Sequence, residues 1–206
     1  MIKVAALILA AGNSLRMGQP KMLLPWKGKS LLSHVVEKVL QGGFSDVVVV
    51  TGDPSQQIQS AVNASGDPRL HFAFNKEYAL GMLSSVQCGI RALSDPPDGI
   101  MIALGDQPTI PARIYQQLLA QFASSESLIL IPSFHQKRGH PIFLCNSLLP
   151  ELLALDPACD SLHNVTSHHA SRIETISLDE PAIIQDLDTP GDYEQLLEKE
   201  GLNEGL

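Results

Sequence analysis

Val4-Ala5-Ala6-Leu7-Ile8-Leu9, a segment of helical period over 31–40, and Val47-Val48-Val49-Val50-Thr51 form the passage that decides the fold class. The first run is short, apolar and continuous, which suits a strand buried on both faces. Leu31, Val35 and Val39 recur at helical spacing, and Gly42-Gly43 stops that helix. The β-branched run over 47–51 reads as a second strand. Outward from this unit the alternation repeats. A helix is predicted over 55–62 after the Asp53-Pro54 start signal, a strand over 70–74, and a helix over 84–93 with Val86, Ile90 and Leu93 spaced for burial. The central strand, 100–104, follows, then a helix over 112–122 and a strand over 128–131. Strands alternating with helices imply parallel strands joined by crossovers, so the fold class is α/β, a three-layer α/β/α Rossmann-like sandwich with a mostly parallel sheet.

The rest is punctuated by Pro132, Pro141, Pro150, Pro157, Pro181 and Pro190 and is expected to wrap the sheet edge. It reads as a strand over 141–144, a helix over 148–155, a strand over 172–176 and a terminal helix over 190–200 with Pro190 in its first turn. The polar tail 198–206 is expected to fray. At 206 residues, against about 150 per domain, one enlarged domain over 1–206 is expected.

With 44% hydrophobic and 17% charged residues the chain has material for a core, which excludes a disordered protein. Fourteen basic against 22 acidic residues leave a net charge of −8. That balance disfavours general nucleic-acid and anionic-membrane partners while allowing a local basic pocket. Cys88, Cys145 and Cys159 are odd in number and far apart, which fits a reducing compartment rather than a disulfide scaffold or structural zinc. The apolar start at 4–11 is cut short by Gly12, Asn13 and Arg16, and no run reaches the roughly 18 apolar residues of a membrane helix. A soluble, cytoplasmic protein is expected.

The chemistry-bearing stretch follows the first strand: Leu9-Ala10-Ala11-Gly12-Asn13-Ser14-Leu15-Arg16-Met17-Gly18-Gln19-Pro20-Lys21. Small residues let backbone N–H groups approach a phosphate, and Arg16 and Lys21 would neutralise it. The spacing fits neither the Walker loop nor the dinucleotide fingerprint, so on physics alone a Gly-rich turn with solvated cations stands beside the phosphate reading. Asp106, in Leu104-Gly105-Asp106-Gln107-Pro108, stands at the carboxyl end of the central strand, where it could hold a hard cation or form a turn. Ser84 and Ser85 could cap a helix, His140 could be a turn residue, and Asp188 or Thr189 could cap the terminal helix. Adjacent His168 and His169 diverge by about 100° on a helix, so with His163 they read as a solvated patch rather than a chelating site.

Residues 9–21 closely resemble the signature L-A-A-G-x-S-x-R-M-G-x-x-K of the MobA-like nucleotidyltransferase family, which includes the molybdenum cofactor guanylyl- and cytidylyltransferases. Four further stretches resemble that family in order: Gly81-Met82-Leu83-Ser84-Ser85-Val86, the G-D-Q-P at 105–108, Arg138-Gly139-His140-Pro141, and Asp186-Leu187-Asp188-Thr189-Pro190-Gly191-Asp192-Tyr193. The resemblance implies nucleotide contacts at Ala10, Ala11, Gly12, Ser14, Arg16, Gly18, Lys21 and Ser84. Arg16, Lys21 and Asp106 would be catalytic, with Asp106 and Asp188 holding Mg²⁺ and Gly139, His140 and Pro141 lining the acceptor side. Residues 1–131 become a nucleotide-binding half and 132–200 an acceptor-binding half. Ala11 is similar to the cytidylyl branch, L-A-A-G, rather than the guanylyl L-A-G-G. The implied reaction is transfer of CMP from CTP to a molybdopterin-type phosphate, releasing pyrophosphate, with a molybdoenzyme as possible client. Where cytidylyltransferases often carry G-D-x-G-A-R, this chain reads Ala158-Cys159-Asp160-Ser161-Leu162-His163, which keeps Asp160 and puts the acceptor in question. A sugar-1-phosphate nucleotidyltransferase and a non-catalytic molybdenum cofactor chaperone are the alternatives.

Overall fold

The computed structural model describes residues 2–12, 17–53, 55–62 and 66–199. The strands are β1 (Val4–Ala10), β2 (Pro25–Trp26), β3 (Lys29–Ser30), β4 (Asp46–Thr51), β5 (Leu70–Phe74), β6 (Gly99–Leu104), β7 (Ile129–Phe134), β8 (Lys137–Arg138), β9 (Ile142–Cys145) and β10 (Ile173–Ser177). The α-helices are α1 (Leu31–Gln41), α2 (Ser55–Val62), α3 (Met82–Arg91), α4 (Ala112–Ser124), α5 (Leu149–Ala154), α6 (Leu162–His168) and α7 (Pro190–Lys199).

The main sheet runs β10-β7-β9-β6-β1-β4-β5, with β8 paired to β7. β1 pairs in parallel with both β4 and β6, while β9 lies antiparallel between β6 and β7. All seven residues of β1 are buried, because both faces are covered. Val4, Ala6, Ile8 and Ala10 pack with Leu32, Val35 and Val39 of α1 and Ile114, Tyr115 and Leu118 of α4. Leu7 and Leu9 face the other way, toward Leu83, Val86 and Ile90 of α3, Leu152 of α5 and Val165 of α6. Each buried Leu or Ile contributes about 1.5–3 kcal/mol, so β1 is a rigid support for the loop that follows it.

From β1 the chain moves through β4 to β5 on one side, then returns to β6 on the other. The switch point therefore lies between the carboxyl ends of β1 and β6, where open α/β sheets bind ligands. The second half does not merely wrap the edge as expected. β10 is an edge strand, but β9 enters the sheet interior because Phe143 and Leu144 each find a covered face. No helix among the described residues is long and apolar enough to cross a membrane, and Cys88, Cys145 and Cys159 are free thiols.

Candidate functional site

β1 and β6 end side by side, Leu9 paired with Leu104, and the Gly105 N–H donates to the Leu9 carbonyl at 2.9 Å. This fixes Asp106 beside the start of the 11–21 loop. Lys21 opens a short 3₁₀ turn, Lys21–Leu23, on the far side of that loop. Asp188 comes from the other end of the chain. Leu187, Leu196 and Leu197 pack with Met17, Leu24, Trp26 and Leu31 in a satellite cluster, and the Leu187 N–H donates to the Asp106 carbonyl at 3.3 Å. Thr189 caps α7, its Oγ1 accepting from the Asp192 N–H at 3.2 Å, so Asp188 is left to face Lys21.

Lys21 Nζ stands 2.5 Å from Asp106 Oδ2 and 3.0 Å from Asp188 Oδ1. The side chains of Lys21 and Asp106 are 11% and 13% exposed, that of Asp188 36%. Burial pulls the Lys21 pKa down, but the charge and hydrogen bond of Asp106, then those of Asp188, outweigh it and leave it raised. Burial pushes the Asp106 carboxyl up; Lys21 opposes that rise without cancelling it, and Asp186 adds to it. Asp106 Oδ1 is buried with no hydrogen-bond partner. A desolvated carboxylate oxygen without a donor, beside a second carboxylate, is suited to a hard divalent cation.

A cavity of about 300 Å³ opens at this point, lined by Ala11, Gly12, Lys21, Tyr78, Ser85, Asp106 and Asp186 among others. Tyr78 lines it and packs so close to the backbone beside it that a Cβ on Gly52 would sit 2.8 Å from the ring and 3.0 Å from the Ala11 carbonyl. Ser85 lines the cavity. Ser84 instead turns inward, donating to the Gly81 carbonyl at 2.8 Å and accepting from Asn75 Nδ2 at 2.9 Å; the N-cap of α3 is Gly81, so neither serine caps it. Asp186 stands on the cavity wall and accepts from Gln107 Nε2 at 2.8 Å. Gln107 belongs to the quoted G-D-Q-P stretch yet had no assigned role. Ala10 is the buried last residue of β1, and exposed Gly18 has a positive φ of 67°. Ser14 and Arg16 lie outside the described residues.

In the stretch 138–141, the Gly139 N–H donates to the Pro132 carbonyl at 2.9 Å and the His140 N–H to the Ile183 carbonyl at 2.9 Å. A Cβ on Gly139 would fall 2.2 Å from the Ile183 oxygen, so glycine is required by this close approach. His140 leads by a cis peptide bond into Pro141. Its Nε2 is buried without a partner, and burial lowers its pKa to about 4 against the pull of Asp106, so the ring is neutral at pH 7. Asp160 accepts from the Asp156 N–H and from Asn164 at the start of α6, a turn role. His168 and His169 do not diverge as expected, since both contact Glu151, at 3.0 and 2.7 Å, while the expected solvation holds for His168, whose side chain is 72% exposed. Helix α6 ends at His168, and His169 is its C-cap at φ −102°, ψ 28°, so helical divergence does not apply.

Comparison with known proteins places the chain in a family. Residues 6–173 match the MobA-like NTP transferase domain. The chain is 27% identical to the molybdenum cofactor cytidylyltransferase of Escherichia coli, over 94% of this chain and 95% of that protein. It is 31% identical to the nicotine blue oxidoreductase of Paenarthrobacter nicotinovorans over 71% of this chain and 73% of that one. Among solved structures, the manganese complex of Rv0371c from Mycobacterium tuberculosis superposes with a TM-score of 0.76 at 21% identity, covering 95% of this chain and 98% of that one. With the family domain spanning most of the chain and Lys21, Asp106 and Asp188 gathered at the switch point, this protein belongs to the MobA-like NTP transferase family of nucleotidyltransferases.

Proposed function

We propose that this enzyme transfers CMP from CTP to a phosphorylated acceptor of the molybdopterin class, with Mg²⁺, releasing pyrophosphate. The observation that carries the reading is the Lys21, Asp106 and Asp188 cluster beside the switch-point cavity, with Asp106 Oδ1 lacking a donor. Asp106 and Asp188 would hold the cation, which when bound neutralises triphosphate oxygens. Two carboxylates suffice, since phosphates and waters complete a Mg²⁺ shell.

An acceptor phosphate oxygen forms a bond to the α-phosphorus of CTP as the bond to the β-phosphate bridging oxygen breaks. The pair of electrons leaves with pyrophosphate. The chain does no covalent chemistry in this step; it positions the partners and neutralises charge. Lys21, with Arg16 assigned by resemblance, binds the triphosphate and the departing pyrophosphate. Ala11 and Gly12 border the nucleotide, Ser85 adds a hydroxyl and Tyr78 an aromatic face to the cavity wall. The acceptor is already anionic and needs no strong base, and neutral His140 offers it a hydrogen bond without charge. In this reading residues 1–131 hold the nucleotide and 132–200 the acceptor, in a reducing, cytoplasmic setting that suits the free thiols.

A panel of CTP, GTP, ATP and UTP with Mg²⁺, read by thermal shift, tests the nucleotide class. The oxidoreductase relative makes NADH and NADPH necessary members of that panel. CTP should give the largest stabilisation, and a preference for a nicotinamide nucleotide over every triphosphate would overturn the reading. Catalytic pyrophosphate release would also exclude a purely carrying role beside a client molybdoenzyme.

A further inference from the structure

Glu151, His168 and His169 meet on the layer opposite α1, outside the nucleotide cavity. Glu151 lies on α5, His168 is the last residue of α6, and His169 caps it. His168 Nδ1 is 3.0 Å from Glu151 Oε1, His169 Nε2 is 2.7 Å from Glu151 Oε2, and one ligand atom from each residue lies within 4.8 Å of the other two. The two imidazole rings stand 4.6 Å apart with planes tilted by 34°. In the hydrogen-bonded form both facing nitrogens carry protons. A cation entering between them takes over both nitrogen lone pairs and the carboxylate, and each neutral ring moves its proton to its other nitrogen.

We propose that these three residues form a second cation site, a two-histidine, one-carboxylate centre for a late first-row divalent metal of the zinc class. The donor chemistry selects this class. Imidazole nitrogen suits Zn²⁺, Co²⁺ and their neighbours, whereas Mg²⁺ prefers the all-oxygen donors offered by Asp106 and Asp188. The His168 side chain is 72% exposed, so the remaining coordination positions face water and the centre is open rather than closed. A metal here ties α5 to the end of α6. α5 is in turn fastened to α3 by Gln87, whose Nε2 donates to the Leu152 and Leu155 carbonyls at 2.8 and 2.9 Å. α3 carries Met82 and Ser85 into the nucleotide cavity. The brace therefore supports the wall of that cavity from behind.

The test uses the full chain stripped with EDTA, Co²⁺ as the probe, and excess Mg²⁺ to occupy oxygen sites. The wild type should take up Co²⁺ with visible ligand-field absorption and a raised Tm, and Zn²⁺ should displace it. His168→Ala, at an exposed position where misfolding is not expected, and Glu151→Gln should each weaken Co²⁺ binding at least tenfold, while Asp106→Asn binds as the wild type does. Absence of Co²⁺ absorption, undiminished binding by His168→Ala, or loss of binding in Asp106→Asn would overturn the proposal. Because the readout requires no nucleotide, its outcome is independent of the catalytic reading.

Discussion

Replacing Lys21 with methionine leaves Asp106 and Asp188 facing each other without the ammonium between them, and with Asp186 adding to the burden on Asp106. At an effective dielectric of about 20, the 2.5 Å and 3.0 Å contacts are worth roughly 7 and 6 kcal/mol of gross attraction. Most of that is offset by the cost of desolvating Lys21, which methionine does not bear. Breaking a buried pair from one side costs about 3–5 kcal/mol. The partial exposure of Asp188 and its access to water favour the lower end, and about 3 kcal/mol lowers Tm by roughly 6–12 °C in a chain of this size. The loss should depend on pH. A carboxyl raised above its unfolded-state value stabilises the fold below that unfolded value and loses the contribution as pH rises through its folded value. Asp106 is already raised, and loss of Lys21 raises it further. Lys21→Met should therefore approach the wild type at acid pH, where Asp106 is protonated in both, and fall furthest behind at pH 7 and above. Divalent cations should restore the variant more than they stabilise the wild type. Thermal melts across pH with and without Mg²⁺ or Mn²⁺ check this. A deficit independent of pH, or equal cation effects on both proteins, would refute the reasoning.

Asp106→Asn keeps shape, relieves a desolvated carboxylate and leaves Lys21 paired with Asp188, so Tm should move by no more than a few degrees while turnover falls at least a hundredfold in a steady-state assay. Asp188→Asn, at the more exposed partner, should lose less, and raising Mg²⁺ should recover part of it. Gly139→Ala puts a Cβ against the Ile183 carbonyl; the overpacking should cost about 1–3 kcal/mol, read as a shift in denaturation midpoint. The Ala11 methyl group borders the cavity, narrowing the space left for a purine, so CTP should outcompete GTP in a mixed-substrate assay.

The sheet centre was legible because its strands are apolar runs whose two faces are both buried, as in Val4–Ala10 and Gly99–Leu104. Lys21, Asp106 and Asp188 stand out in the chain because each lies in a distinctive motif; the family resemblance already paired Asp106 with Asp188, whereas spacing alone did not, since their meeting depends on α7 packing against Trp26 and Leu31. β9 escaped placement inside the sheet because four residues after a proline carry little periodic signal. The β2–β3 hairpin, with two-residue strands, and α6, with Leu162 and Val165 alone buried, fell below what hydrophobic spacing can detect. Ser84 and Ser85 are interchangeable in sequence, and only the helix phase set by Gly81 separates the inward hydroxyl from the one on the cavity. The His168 and His169 pairing depends on where α6 ends, a boundary that sequence patterns fix only to within a few residues.

The central claim is nucleotidyl transfer at the Lys21, Asp106 and Asp188 site. Its most direct test is one reaction containing CTP, Mg²⁺ and molybdopterin, with pyrophosphate and the CMP-bearing product quantified together for the wild type and Asp106→Asn. The account predicts equimolar pyrophosphate and product from the wild type and near-background levels of both from the variant. Pyrophosphate without a CMP-bearing product, or equal turnover by Asp106→Asn at limiting Mg²⁺, would contradict it.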